Sequence, residues 1–464
     1  MKKYGYDNLP FSPTSAALSV SGSIPSPVRF RLLGRWRQLP AMTSPFLARE
    51  GTRLLSSKLV AHTSEPLRDA PRKARPTRVQ LVAILVLTFT FSGYQLTAGL
   101  TPFVAISNRP VSIALRAAVF FAVLWILPKV RIHRSDIPFW ICWALFCSIY
   151  TARLIFDQSY SSKLLRFGLI EYLSWAIGAT FLPSIVSVFL DFRKNNLKIF
   201  SFIFHSSFVA LFLNLYQTKF GSLSLDSGRA ASAILNPISF GQLGLTVLIM
   251  SIWALRWRRW RVRSVIGCFA GASGVFLSGS KGPILSLCGV MFVYIAANRR
   301  KIARKVPAFG IGSVAVLGFL STRNIDDIYI VRRISNGGFG DSIRVQLLSD
   351  SFSLIVENPL LGGGFATKVY YPHNILIEGF LVCGVVSGIP LLICFWIALA
   401  RIKVWAQVGR SSFWIVLLFM QWFISSLVSG AIESSSVLFT TMTLVVSVSS
   451  RLISDRSGRP ESVH

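Results

Sequence analysis

Four groups of residues in this chain have types and spacing suited to chemistry, and each lies beside a long apolar stretch. The first is Gly228-Arg229-Ala230-Ala231-Ser232, leading to Asn236-Pro237. The second is Ser278-Gly279-Ser280-Lys281-Gly282-Pro283. The third is Arg344, at the head of an amphipathic stretch. The fourth is Asn358-Pro359-Leu360-Leu361-Gly362-Gly363-Gly364-Phe365, followed by Pro372-His373-Asn374. Arginine offers an anion a fork of donors, and lysine offers a point charge. A histidine near its unperturbed pKa accepts a proton at neutral pH. Together they suit an anionic group at a membrane surface, and a diphosphate attached to a lipid meets that description.

Each group also has a plainer reading. Arg229 and Lys281 can snorkel to lipid headgroups. Arg344 can be a solvated helix residue, and the glycines can serve only to shape a loop. A lone interfacial histidine is usually structural, and His62, His133, His205 and His464 are read that way. No P-loop and no paired metal carboxylates occur in the sequence, so no metal or cofactor is expected. Cys142, Cys147, Cys268, Cys288, Cys383 and Cys394 all fall inside apolar stretches without metal-ligand spacing, and read as small core residues.

The elements that must position these residues are membrane spans. The chain is 52% hydrophobic with mean hydropathy +0.57, and its apolar residues come in long blocks. A span needs about 20 mostly apolar residues, whereas a barrel would show weak alternation. The expected fold is all-α, a polytopic helical membrane protein of about 12 transmembrane helices. Spans are placed near 79–100, 112–128, 137–156, 165–190, 199–216, 233–255, 264–278, 284–297, 306–321, 374–400, 412–430 and 437–453. Every even-numbered loop is basic, as after residues 128, 190, 255, 297 and 400, which fits a single orientation with both termini inside. The net charge of +31 is therefore assigned to inner loops rather than to nucleic acid.

Residues 1–78 are rich in Pro, Ser and Arg and lack a signal-peptide core. They read as a disordered basic cytoplasmic tail, and Met42 serves equally well as a start, which would leave residues 1–41 untranslated. Residues 79–453 form the transmembrane domain, and 454–464 a second cytoplasmic tail. One large loop, 322–373, faces outward. Within it Ser342 to Glu357 has a helical pattern, with Leu348, Phe352 and Ile355 on its apolar face and Asp341 as a candidate cap. Pro359 ends the helix, and the glycines allow a tight turn or a close approach. The helix is expected to lie along the outer interface, apolar side down.

With that topology, Arg229, Lys281, Arg344 and His373 fall on one side of the membrane. The chain resembles the O-antigen ligase and O-antigen polymerase superfamily of bacterial polysaccharide assembly. The resemblance rests on Gly228-Arg229 with Asn236-Pro237, the Ser280-Lys281-Gly282 turn, Arg344, Asn358 to Phe365, and His373-Asn374. Their order covers about residues 220–400. It implies a glycosyltransferase of the inner (cytoplasmic) membrane with the large loop in the periplasm. The donor would be an undecaprenyl-diphosphate-linked glycan. The acceptor would be a second glycan for an O-antigen or exopolysaccharide polymerase, or lipid A-core for a ligase; a polymerase is the weakly favoured choice. Membrane lipids, and chain-length or export proteins, are the other implied partners. The family usually has Arg where this chain has Lys281, so the charge survives and the bidentate fork is lost.

The reaction so implied is metal-independent and inverting. Arg344, Lys281 and Arg229 would hold the diphosphate, His373 would position or deprotonate the acceptor hydroxyl, and Asn374 would orient the glycan or His373. Glu378, on the helix face of Asn374, is a second candidate base or a brace for the span. The loop helix and glycine run would form a lid. The rivals are a secondary transporter, which should show related halves and broken helices, and a lipid-linked glycan flippase. No repeat relates residues 79–256 to 264–453, and Arg116, Arg153 and Glu171 are the main charges inside the spans.

Overall fold

A computed structural model describes residues 76–104, 108–160, 172–220, 235–297, 342–365, 373–408 and 411–456. The N-terminal tail up to residue 75, the expected ninth span 306–321, Arg229, Asp341 and Glu171 lie outside the described residues. Among those described, the chain is helical without a strand. The helices are α1 Arg78–Val104, α2 Asn108–Ile126, α3 Ile137–Tyr160, α4 Ser174–Phe189, α5 Phe192–Phe220 and α6 Pro237–Ala254. They continue as α7 Arg261–Leu277, α8 Lys281–Ala297, α9 Ser342–Glu357, α10 Ile375–Val408, α11 Trp414–Ser429 and α12 Ser436–Arg456. Among the described residues, six stretches are long and apolar enough to cross a membrane, in α1, α2, α3, α5, α6 and α10; α4, α8, α11 and α12 are shorter apolar helices.

Helix directions follow from paired contacts. The Asn214 and Gln217 amides of α5 donate to the Gln95 and Gly99 carbonyls of α1, so those two helices run parallel, as first and fifth spans should. In α10, Cys394 faces the Phe139 carbonyl of α3 and Arg401 lies 3.6 Å from Asp136, so α10 and α3 are antiparallel. Helices α8 and α10 begin at the same end, the relation that alternating spans require of an eighth and a tenth.

Close packing here depends on small residues, because lipid supplies little hydrophobic drive between helices. Gly244 of α6 meets Gly271 and Gly274 of α7 backbone to backbone; a Cβ on Gly244 would sit 2.9 Å from the Gly271 carbonyl oxygen. Polar side chains add glue. The buried Gln421 amide of α11 donates to the Gln242 carbonyl at 2.8 Å and to Thr246 Oγ1 at 2.9 Å, both on α6. Such bonds contribute about 1 kcal/mol each in membranes. The lipid-facing side is correspondingly apolar, with Phe121, Phe269, Phe292 and Trp396 exposed.

Two helices depart from regular geometry. Helix α4 opens as a π-helix over Ser174–Phe181 and tightens to a 3₁₀ turn at Val186–Phe189. Helix α10 is broken at Gly384, whose φ of 62° and ψ of −161° are non-helical. Hydropathy alone makes 374–400 one uninterrupted span, so the break is a departure from the expected plain helix.

Candidate active site

The break in α10 creates orphan backbone groups that lipid cannot satisfy. The glycine run satisfies them. Gly363 N–H donates to the Leu381 carbonyl at 2.8 Å, and Gly364 N–H to the Val382 carbonyl at 3.1 Å. In return Val385 N–H donates to the Pro359 carbonyl at 2.8 Å. Gly362 and Gly364 have φ of 69° and 75°, conformations that side chains resist. A Cβ on Gly362 would lie 2.6 Å from Gly384 N. The glycines thus let two backbones touch, and in this conformation the run is docked onto α10.

Phe365 completes the docking. It is buried, its ring meets Tyr150 of α3 edge-on at 5.1 Å, and its N–H donates to Asp157 Oδ2 at 2.6 Å. Helix α9, leading into this segment, packs on α10. Its bounds match the sequence expectation, but its buried face differs. Ser351 is buried and Leu348 and Ile355 are half-buried, while Phe352 is 55% exposed. Val345 and Val356 are also exposed, which leaves an apolar strip facing away from the protein.

His373 and Asn374 stand where α10 begins. Asn374 Oδ1 accepts from Leu376 N–H at 3.0 Å and Ile377 N–H at 3.2 Å, an N-cap that uses this oxygen for the helix. Asn236 caps α6 in the same way, accepting from Ser239 N–H at 2.8 Å. His373 has φ of 53°, and among the described residues it is the non-glycine with positive φ. Both side chains are half-buried.

Glu378, one turn into α10, is fully buried, and its Oε2 accepts from Ile432 N–H at 2.9 Å. This contact joins the start of α10 to the turn before α12. The turn it braces, Ile432–Ser434, contains Glu433. Glu433 Oε2 accepts from the Tyr150 hydroxyl at 3.4 Å, and its carbonyl accepts from Thr180 of the π-helical stretch at 2.8 Å. Sequence reasoning did not single out Glu433, Tyr150 or Asp157. An acid between two apolar stretches was the signal for Glu433.

Lys281 opens α8 and is half-buried. Its turn is fixed by Ser278, whose hydroxyl donates to the Val275 carbonyl and accepts from Ser280 N–H, with Gly279 at φ 57°. Gly241 of α6 leaves room for this turn, since a Cβ there would lie 2.5 Å from Ser278 Oγ. The next residue, Gly282, faces Val428 of α11, one turn before the strand of chain that Glu378 braces. Lys281, His373, Asn374 and Glu378 therefore share one end of the bundle. Arg344 lies in the first turn of α9, about 20 Å along the helix from Glu357.

The other candidates sort to other places. His133 accepts from Ser135 N–H at the end of the bundle opposite His373. His205 lies between the Ser201 carbonyl and Arg263 Nη1, at 2.7 and 3.2 Å. Arg116 lies over the Trp175 ring. The six cysteines are all helical and free of disulfides.

Residues 266–387 match the family model described as O-antigen ligase, about a quarter of the chain. The matched segment runs from α7 through the Lys281 turn, α9, the glycine run and His373 to just beyond the break at Gly384. No curated protein matches the chain at a significant level.

Proposed function

We propose a membrane glycosyltransferase of the O-antigen ligase/polymerase type acting on lipid-diphosphate-linked glycan, a reading supported by the match of residues 266–387 to the O-antigen ligase family model. The observation that carries this reading is the gathering of Lys281, His373, Asn374 and Glu378 at one end of the bundle within or beside that matched segment. The donor is undecaprenyl-diphosphate glycan, taken at the periplasmic face of the bacterial inner membrane. The acceptor is a sugar hydroxyl of a second glycan or of lipid A-core.

In the step proposed, His373 removes the acceptor hydroxyl proton as the oxygen attacks the donor anomeric carbon. The bond from that carbon to the diphosphate oxygen breaks, and its electron pair leaves with the diphosphate. Lys281 and Arg344, with Arg229 as a third cation, stabilise the charge growing there. Attack from the face opposite the leaving group inverts the anomeric centre. Glu378 braces the Ile432–Ser434 turn, and Asn374 fixes the start of α10, so both hold His373 rather than exchange protons.

A broken membrane helix is also a feature of transporters, and α10 is broken at Gly384. Here, however, the backbone groups freed by the break bond to the Pro359–Gly364 segment instead of facing a substrate path. That observation favours transfer over transport.

The test is product stereochemistry. Purified protein with a synthetic polyprenyl-diphosphate disaccharide and a chelator should give product with the anomeric configuration inverted. Retained configuration, or activity abolished by the chelator and restored by a divalent cation, contradicts this mechanism.

A further inference from the structure

The Gly364-Phe365 backbone, between the Arg344 helix and His373, meets an ionic pair on α3. Arg153 Nε lies 3.0 Å from Asp157 Oδ1 and 3.1 Å from Oδ2, one turn apart near the end of α3. Both side chains are largely buried, at 23% and 14% exposure, where an unpaired charge is costly. The same carboxylate receives Phe365 N–H at 2.6 Å, a short charge-assisted bond. Contact is close enough that a Cβ on Gly364 would sit 2.3 Å from Asp157 Oδ2 and 2.6 Å from Arg153 Nη2. Gly364 is thus the residue type that lets the chain reach the pair.

We infer that Asp157, held by Arg153, is a positioning residue: it clamps Gly364-Phe365 to α3 and so fixes the 359–365 segment that follows the Arg344 helix. This rests on the glycosyl-transfer reading above. Two further contacts converge on the same point, the Phe365–Tyr150 ring pair and the glycine bonds to the break in α10. Neither sets direction as a charged acceptor does, because ring contacts tolerate sliding and the α10 bonds end at Gly364. Asp157 adds to the Tyr150 ring contact a directional, charge-assisted bond from α3. Releasing it lets the helix that carries Arg344 shift against α3 and α10, and a misplacement of about 1 Å can cost about 100-fold in rate.

The test uses full-length protein in nanodiscs with a synthetic polyprenyl-diphosphate disaccharide, reading kcat, donor KM and amide exchange at Phe365. Asp157→Ala should lower kcat about 10- to 100-fold, leave donor KM little changed, and speed Phe365 exchange. The double variant Arg153→Gln with Asp157→Asn keeps an acceptor for Phe365 N–H without stranding a charge, and should restore both kcat and slow exchange. It also carries the test if Asp157→Ala inserts poorly. Unchanged Phe365 exchange in Asp157→Ala would overturn the clamp. So would faster exchange with unchanged kcat, or a double variant as inactive as Asp157→Ala. If His373→Ala abolishes transfer while Asp157→Ala does not slow it, the clamp alone fails. If His373→Ala transfers at the wild-type rate, the underlying reading fails and takes the clamp with it.

Discussion

At His373 the backbone is itself informative. A left-handed conformation costs an ordinary residue about 1–2 kcal/mol, and such strain persists where the surroundings over-determine it, often at functional sites. His373 holds φ of 53° between the matched loop and the Asn374 cap. Glycine should therefore suit the position better than alanine. His373→Gly is expected to melt higher than His373→Ala, by about 1 kcal/mol of stability, while both lose transfer by about 10²- to 10⁴-fold. Equal stability of the two, measured by thermal unfolding, would show that the strain is not real. The neighbouring cap gives a contrasting expectation. Asn374→Ala should cost about 1 kcal/mol, and Asn374→Asp should retain the cap and most of the activity. At Lys281 the change to Arg adds a fork to a half-buried charge. Transfer by Lys281→Arg is expected to match or exceed wild type, and complete loss would remove Lys281 from diphosphate binding.

At the scale of elements, the α9 helix was legible in the sequence and the backbone contacts that dock the glycine run were not. Periodicity and Pro359 bounded the α9 helix at Ser342–Glu357. Asn374 was read from the sequence as a residue that orients the glycan or His373, and the structure shows both it and Asn236 capping helices. The break at Gly384 was hidden because hydropathy reports burial and says nothing of backbone angles. The partnership of the glycine run with that break was hidden because its hydrogen bonds join positions some twenty residues apart through main-chain atoms. Asp157 was hidden by its ordinary i, i+4 spacing from Arg153, which reads as a simple helix pair. The glycine run expected to act as part of a lid is docked in this structure. Gly384→Ala tests that docking, since its Cβ would lie 2.2 Å from the Leu360 carbonyl oxygen and its φ is 62°. It should cost at least about 1–3 kcal/mol and speed amide exchange at Gly363 and Gly364. Unaltered exchange would mean the run does not depend on the break.

For the whole molecule, the ladder of apolar blocks was the most legible feature, because a bilayer imposes length and satisfaction on every span. Parallel α1 and α5 and antiparallel α3 and α10 agree with the alternation read from basic loops. The side on which the basic-loop topology put Lys281 and His373 is one end of the bundle, which they share with Glu378, opposite Asp136 and Arg401. If the proposed function is right, that end forms a new glycosidic bond. The most direct measurement uses protein purified into proteoliposomes with a polyprenyl-diphosphate glycan labelled separately in lipid and sugar. Wild type should join the labelled sugar to an acceptor and release lipid diphosphate in equal amount, and His373→Ala should do neither. Intact doubly labelled donor crossing the bilayer with no new glycosidic bond, or His373→Ala reacting as fast as wild type, would contradict it.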